Sequence, residues 1–277
     1  MCKLKSAIIL KDRIFMPDYD SHSKMLEELK ITDDYINASK VFVRAELAPA
    51  DGDVFPDIDS WEFSVDQDIT PEWFDEKDCA ERMRKAVKEW AKTHIFVGQN
   101  ELKISHGENI IIKDCKNVDI CGSATVKNIC GSATVKNICG DATVDYICDD
   151  ATVENICDSA TVKNICDDAT VKNICDSATV KYIYGDATVE NIYGDATVKN
   201  ICDNATVEII YGNATVKYIY GNTMVKYICG GAMVISSPYI KWNNSASLII
   251  SDNATFKDCY SKTIYQAGGW KLKEIKK

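Results

Sequence analysis

The chain lacks any apolar run long enough to cross a bilayer, has few histidines, and carries none of the short motifs that mark common catalytic sites. A membrane-spanning helix needs about 18–20 consecutive apolar residues, and nothing here approaches that length. At the N-terminus, MCKLKSAIILKDRIF offers a four-residue apolar run that Lys11, Asp12 and Arg13 end at once. That is too short for a signal-peptide core, so a cytoplasmic protein without membrane contact is expected. The three histidines are His22, His94 and His106, which leaves residues 109–277 with none. A glycine-rich dinucleotide loop, a phosphate-binding loop and a Cys-x-x-Cys pair are also missing. No nucleophile motif or cofactor site can be argued from what remains.

Positive charge is scarce as well. Residues 1–108 hold 23 acidic and 15 basic side chains, a net of −8, and residues 109–277 hold 19 and 17, a net of −2. Within the second half, residues 141–204 hold 13 acidic and 4 basic side chains, a net of −9. No basic face is expected from these counts, and direct nucleic-acid binding is not expected either.

What is present is a repeat. CGSATVKNICGSATVKNICGDATVDYI, from Cys121 to Ile147, says nearly the same thing three times in nine-residue steps. Ile recurs every nine residues from Ile120 to Ile228, and Val follows six residues after each, from Val126 to Val234. Ala falls between them in all copies but one, where Thr223 replaces it. Periodicity of this kind means stacked units. A helix cannot carry it, because nine residues make about two and a half turns and successive copies would face opposite ways. The unit is rich in Val, Ile and Thr, with Gly, Asp and Asn gathered at one point, which is short-strand and turn chemistry. Alternation sends Ala and Val inward and Thr outward, with Lys or Glu next on the outside and a bend before Ile.

One unit is too short to close around its own core. Two units, 18 residues, make the smallest comfortable coil, with three units, 27 residues, as the alternative. Charge does not separate them: six of ten stacked pairs are opposite in sign at 18-residue spacing and six of nine at 27. The segment NIIIKDCKNVD is a degenerate first unit, and the register breaks after Val234 at ISSPYIKWNN. ISDNATFKD, from Ile250, resumes out of phase by four residues. YQAGGWKLKEIKK, with Ile264, Tyr265 and Trp270, is expected to cover the open end, since a bare end invites association between copies.

Nine of the 13 cysteines occupy one position of the repeat, and Tyr184, Tyr193, Tyr211 and Tyr220 fill that position in other copies. A disulfide framework would not exchange Cys for Tyr so freely, and a metal site would not either. Free thiols are therefore expected, with no metal assigned; the alternative is a column of soft-metal ligands.

The first hundred residues do not repeat. SAIILKDRIFM reads as two strands around a Lys11-Asp12 turn, and KVFVRAEL and SWEFSVDQ as two more. SHSKMLEELKI starts a helix capped by Ser21 or Ser23. In EWFDEKDCAERMRKAVKEWAKTHIF, Met83, Ala86, Val87, Trp90 and Ala91 recur at helical spacing and should face a core. Asp18, Asp20 and His22 lie close in sequence, with Asp33 and Asp34 beyond. They could hold a metal or act as acid and base, but a solvated loop at a helix start is the favoured reading, since no second half of a site is visible elsewhere in the sequence. The expected layout is an α+β domain over residues 1–108, an all-β solenoid over 109–260 and a C-terminal cap over 261–277.

I-C-D-S-A-T is similar to the hexapeptide repeat of left-handed β-helices, and A-T-V-K-N resembles the core of pentapeptide-repeat proteins, although the period here is neither six nor five. KSAIILKDRIFMPDYDSHSKMLEEL and WEFSVDQDITPEWF, followed by CGSATVKNI units, resemble uncharacterised proteins of gut bacteria and their phages. That resemblance implies the two-part layout and no activity. The hexapeptide resemblance implies acyl transfer only where a histidine sits between coils, and the repeat half has none. The expectation is thus a non-catalytic interaction or scaffold protein with an unknown protein partner, oligomerisation included, and Tyr184, Tyr193, Tyr211 and Tyr220 as its contact stripe. The alternatives are a DNA-mimicking or host-defence inhibitor built on the acidic stretch, and an enzyme with its site in the N-terminal domain. An ice-binding face is disfavoured because charged positions neighbour the Thr columns.

Overall fold

The computed structural model describes residues 5–49, 57–236, 249–250, 254–258, 263–268 and 271–276. The chain divides into two compact units, Met1–His94 and Ile95–Lys277.

In the first unit, β1 (Lys5–Leu10) and β2 (Ile14–Phe15) form the expected hairpin, closed by the Leu10 amide donating to the Arg13 carbonyl at 2.8 Å. With β3 (Phe42–Ala48) and β4 (Glu62–Val65) they make an antiparallel sheet in the order β2-β1-β3-β4. Helix α1 (His22–Glu28) is capped by Ser21, whose hydroxyl accepts from the Lys24 amide, and it packs Met25 and Leu26 onto Ile8 and Phe42. A short helix α2 (Tyr35–Ala38) was not legible in the sequence; Asp34 caps it by accepting from the Asn37 amide at 2.8 Å. Helix α3 (Glu76–His94) buries Met83, Val87 and Trp90 as its periodicity requires, whereas Ala86 and Ala91 sit at the half-exposed margin of that stripe.

The second unit is a parallel β-solenoid with 18 residues per coil. Its strands run over Thr-Val-Lys-Asn-Ile and its turns over Cys-Gly/Asp-x-Ala. Thr134 aligns with Thr152 and Ile138 with Ile156, while Thr143 aligns with Thr161 and Ile147 with Ile165. Successive copies therefore alternate between a nine-stranded and a twelve-stranded sheet. Within the regular run both strand neighbours of a copy lie 18 residues away, never nine. Between the sheets the Ile, Ala and Val side chains of the repeat stack into one core at essentially zero exposure. Lys and the following residue both face outward within each strand, which is the bend that lets Val and Ile both point inward.

Pairing begins at Ile95–Val97, ahead of the expected start at residue 109. Those residues lack the repeat motif and join by backbone pairing and by Phe96, which packs against the solenoid core. At the other end Val234 aligns with Phe256 and Ile228 with Ile250, a step of 22 residues. The four-residue slip seen in the sequence is thus an insertion into one coil. Strands Thr263–Gly268 and Lys271–Lys276 then add antiparallel to the twelve-stranded sheet. Trp270 and most of ISSPYIKWNN lie outside the described residues.

The Gly/Asp choice in the turn follows from backbone geometry. This position has positive φ in every described copy, from 54° at Asp176 to 74° at Gly221. Gly accepts that conformation freely, and Asp is among the few other residues that tolerate it. A Cβ at Gly140 would meet the Gly122 backbone nitrogen of the coil below at 2.9 Å. Where Asp stands, its carboxylate accepts the amide of the same turn one coil back, as from Gly140 to Asp158 at 3.0 Å and from Gly131 to Asp149 at 2.9 Å. Asp158→Asn is expected to leave stability unchanged, because the acceptor and the left-handed tolerance both persist. Asp158→Val is expected to cost at least about 1–2 kcal/mol from the backbone conformation alone, as read by urea denaturation.

Candidate functional site

The N-terminal polar cluster does not form one site. The Asp18 carboxylate lies 3.0 Å from His94 Nε2. Asp20 accepts from the Ser6 amide at 3.2 Å and lies 3.4 Å from the ammonium of the fully buried Lys5, neutralising a charge that would otherwise be costly to bury. His22 faces the other way, with Nδ1 3.2 Å from Asp66 and Nε2 3.2 Å from the Ala45 carbonyl. Each of the three thus serves a different structural contact. His22, Glu46 and Asp66 do bring ligand-capable atoms within 4.8 Å of one another, a grouping that sequence distance hides. Asp33 pairs with Arg44, and Asp34 is spent as a helix cap. An open cleft of about 580 Å³ beside them is lined by Asp33, Arg44, Asp66 and Asp68 among others.

The solenoid offers more. Because the coil holds two copies, each outward position of the repeat is sorted onto two sheets, and the two outer faces differ. On the nine-stranded sheet the charged column reads Lys136, Glu154, Lys172, Glu190, Glu208, Lys226, which sums to zero. Lys226 meets Glu208 at 2.5 Å, and such exposed pairs contribute under about 1 kcal/mol. The next column on that face is an amide ladder: Asn155 donates to Asn137 at 3.1 Å, Asn173 to Asn155 at 3.0 Å and Asn191 to Asn173 at 3.2 Å. Asn137 starts it by donating to Asp119 at 2.8 Å.

The twelve-stranded sheet is different. Its charged column is Lys127, Asp145, Lys163, Lys181, Lys199, Lys217, five cations to one anion. Asp145 is held by Lys163 at 2.6 Å. Beside that column Tyr146, Tyr182 and Tyr218 stand every second coil, each 43% exposed, with Asn164 and Asn200 between them. At about 4.8 Å per coil the tyrosines are about 9.6 Å apart. The expectation that no basic face exists is thus corrected. A count along the chain averages lysines on this face with aspartates at the turns, which the coil places elsewhere.

The tyrosines expected to form one stripe are divided by the same sorting. Tyr193 and Tyr211 lie on one turn edge, stacked with ring centroids 4.9 Å apart and planes 9° off parallel. Tyr184 and Tyr220 lie on the opposite edge with Cys202 between them. All four are half-buried, whereas the most exposed tyrosines of the repeat, Tyr146, Tyr182, Tyr218 and Tyr227, occupy the asparagine position.

Cysteines of the repeat are free thiols, buried or half-buried. A hydrogen bond with Cys130, together with burial, pushes the Cys148 thiol up to about 12, and burial with the Asp158 carboxylate nearby does the same to Cys157. Alkylation of Cys148 and Cys157 by iodoacetamide should be slow at neutral pH and accelerate only in strong alkali, as followed by peptide mass spectrometry. These thiols keep their protons in the fold above the ordinary value of 9.0. The unfolded chain therefore loses protons first, and the stability they contribute is present below pH 9 and falls as pH rises toward 12.

Among the described residues, no helix is long and apolar enough to cross a membrane. Comparison with protein families, with curated proteins and with solved structures found no match for this chain.

Proposed function

We propose that this protein is a non-catalytic interaction scaffold whose contact surface is the outer face of the twelve-stranded sheet. The observation that carries this reading is the asymmetry of the two faces. One is charge-balanced, with an amide ladder from Asn137 to Asn191 and a single exposed tyrosine, Tyr227, among the described residues. The other presents five lysines to one aspartate, with three exposed tyrosines beside them. Exposed aromatic rings on a rigid β-surface make strong contact anchors because little conformational entropy is lost on binding. Lysines around them favour a partner protein with an acidic patch and speed its encounter. The solenoid supplies rigidity, since every coil is braced by those on either side.

The test is a pull-down from native cells with Lys181→Glu/Lys199→Glu/Lys217→Glu as bait. Loss of the partners that the unaltered chain recovers, with partner affinity at least tenfold weaker and steeper salt dependence for the unaltered chain, is the expected result. Recovery of the same partners by the reversed-charge bait would overturn the assignment of this face. Loss with Tyr193→Ser/Tyr211→Ser instead would move the contact to the turn edge.

A further inference from the structure

We propose that the two turn edges of the solenoid are binding sites for soft monovalent metal cations, copper(I) or silver(I), held between cysteines of adjacent coils. Interchange of Cys with Tyr argues against a metal site only while all copies are treated as one column. The 18-residue coil separates them into two, and each begins with an unbroken run of thiols. Cys121, Cys139, Cys157 and Cys175 follow one another on one edge. Cys130, Cys148 and Cys166 do so on the other, and tyrosine enters only above these runs.

Neighbouring thiols in each run are within reach of one another. Backbone pairing stacks them coil on coil: the amides of Cys139, Cys148, Cys157 and Cys166 donate to the carbonyls of Ile120, Ile129, Ile138 and Ile147 one coil below, at 2.9–3.0 Å. Cys130, Cys139 and Cys148 direct Sγ to the carbonyls of Ile112, Ile120 and Ile129 in the coil below, at 3.6, 3.7 and 3.8 Å, so the lower thiols of both edges are held alike, whereas Cys166 and Cys175 turn Sγ to the carboxylates of Asp167 and Asp176. Sulfurs that follow the strand repeat are spaced by about 4.8 Å. A cation midway between two of them would sit about 2.4 Å from each, close to the roughly 2.3 Å of a zinc–thiolate bond. A straight row supplies two sulfurs per gap and no more. Copper(I) and silver(I) accept two ligands in a line, whereas zinc requires about four in a tetrahedron.

Coordination is a simple exchange. Each S–H gives its proton to water, and the sulfur lone pair forms the bond to the cation, with no change of oxidation state. Carboxylates stand beside the row: Cys157 with Asp158 and Asp176, and Cys148 with Asp149 and Asp167, hold ligand-capable atoms within 4.8 Å. They already accept turn amides, so their contribution is to draw cations to the edge rather than to complete a hard-metal shell.

The test uses the full chain, reduced and free of oxygen, titrated with copper(I) as its acetonitrile complex against a coloured chelator. Retention of about three ions per chain is expected, two on the first edge and one on the second, if each sulfur serves one ion. Thiolate-to-metal charge-transfer absorption should appear, and X-ray absorption should find two sulfurs at about 2.3 Å. Cys139→Ser/Cys157→Ser should lose two of those ions, about a threefold fall in capacity. The same position tolerates tyrosine in other copies, so the variant is expected to fold, as circular dichroism will verify. Cys79→Ala, in α3, should retain full capacity. A folded wild-type chain that holds no copper(I) overturns the proposal, as does a serine variant with undiminished capacity. Zinc bound as tightly as copper(I), and lost in Asp158→Asn/Asp176→Asn, would also overturn it by moving the site to the carboxylates.

Discussion

Ile165→Ala is expected to destabilise the solenoid by about 2–5 kcal/mol, the cost of a large-to-small change at a fully packed site. Ile165 has no exposure and is stacked between Ile147 and Ile183, its partners in the adjacent coils. The void cannot be filled by collapse, because the backbone on both sides is held at the strand spacing by ladder hydrogen bonds. Stability in a stacked array is the sum of unit terms and nearest-neighbour terms, so a defect in one layer weakens two interfaces. Urea denaturation followed by circular dichroism should show this as a lower midpoint and a broadened or split transition. Ile165→Val, which removes a single methylene, should cost about 0.5–1.5 kcal/mol. Equal midpoints for Ile165→Ala and the unaltered chain would mean that the layers are not coupled in this way.

Tyr146→Ser/Tyr182→Ser/Tyr218→Ser is expected to weaken partner binding by about 2 kcal/mol or more for each ring that acts as an anchor, about thirtyfold apiece. Each ring stands 43% exposed on the twelve-stranded sheet. Their removal should leave the unfolding midpoint nearly unchanged, within about 0.5 kcal/mol per site, as is usual for surface positions. Affinity for the captured partner, measured by calorimetry, separates the two effects. Affinity unchanged in the triple variant would remove these tyrosines from the interface, and a large loss of stability would show them to be structural.

Much of the architecture is legible in residues. Ile, Ala and Val every nine residues name the inward positions, and all of them prove fully covered in the described copies. The Gly/Asp position marks the turn because only residues that tolerate positive φ fit there. The slip of four residues before Ile250 is read from the sequence and recovered as a 22-residue step in pairing. Asp18, Asp20 and His22 show the opposite case. They are neighbours in sequence, yet Lys5, His94 and Asp66 draw them apart.

The sequence by itself determined the period, the inward residues, the strand-and-turn chemistry and the two-part layout. It could not determine which copies touch. Nine residues is the repeat of the chain, but 18 is the repeat of the coil, and near-balanced charge statistics do not choose between 18 and 27. Only the closed circuit of backbone hydrogen bonds decides that number. Once it does, one averaged set of outward residues becomes two unlike faces and two cysteine edges. The lysine–tyrosine surface and the thiol rows exist only after that sorting.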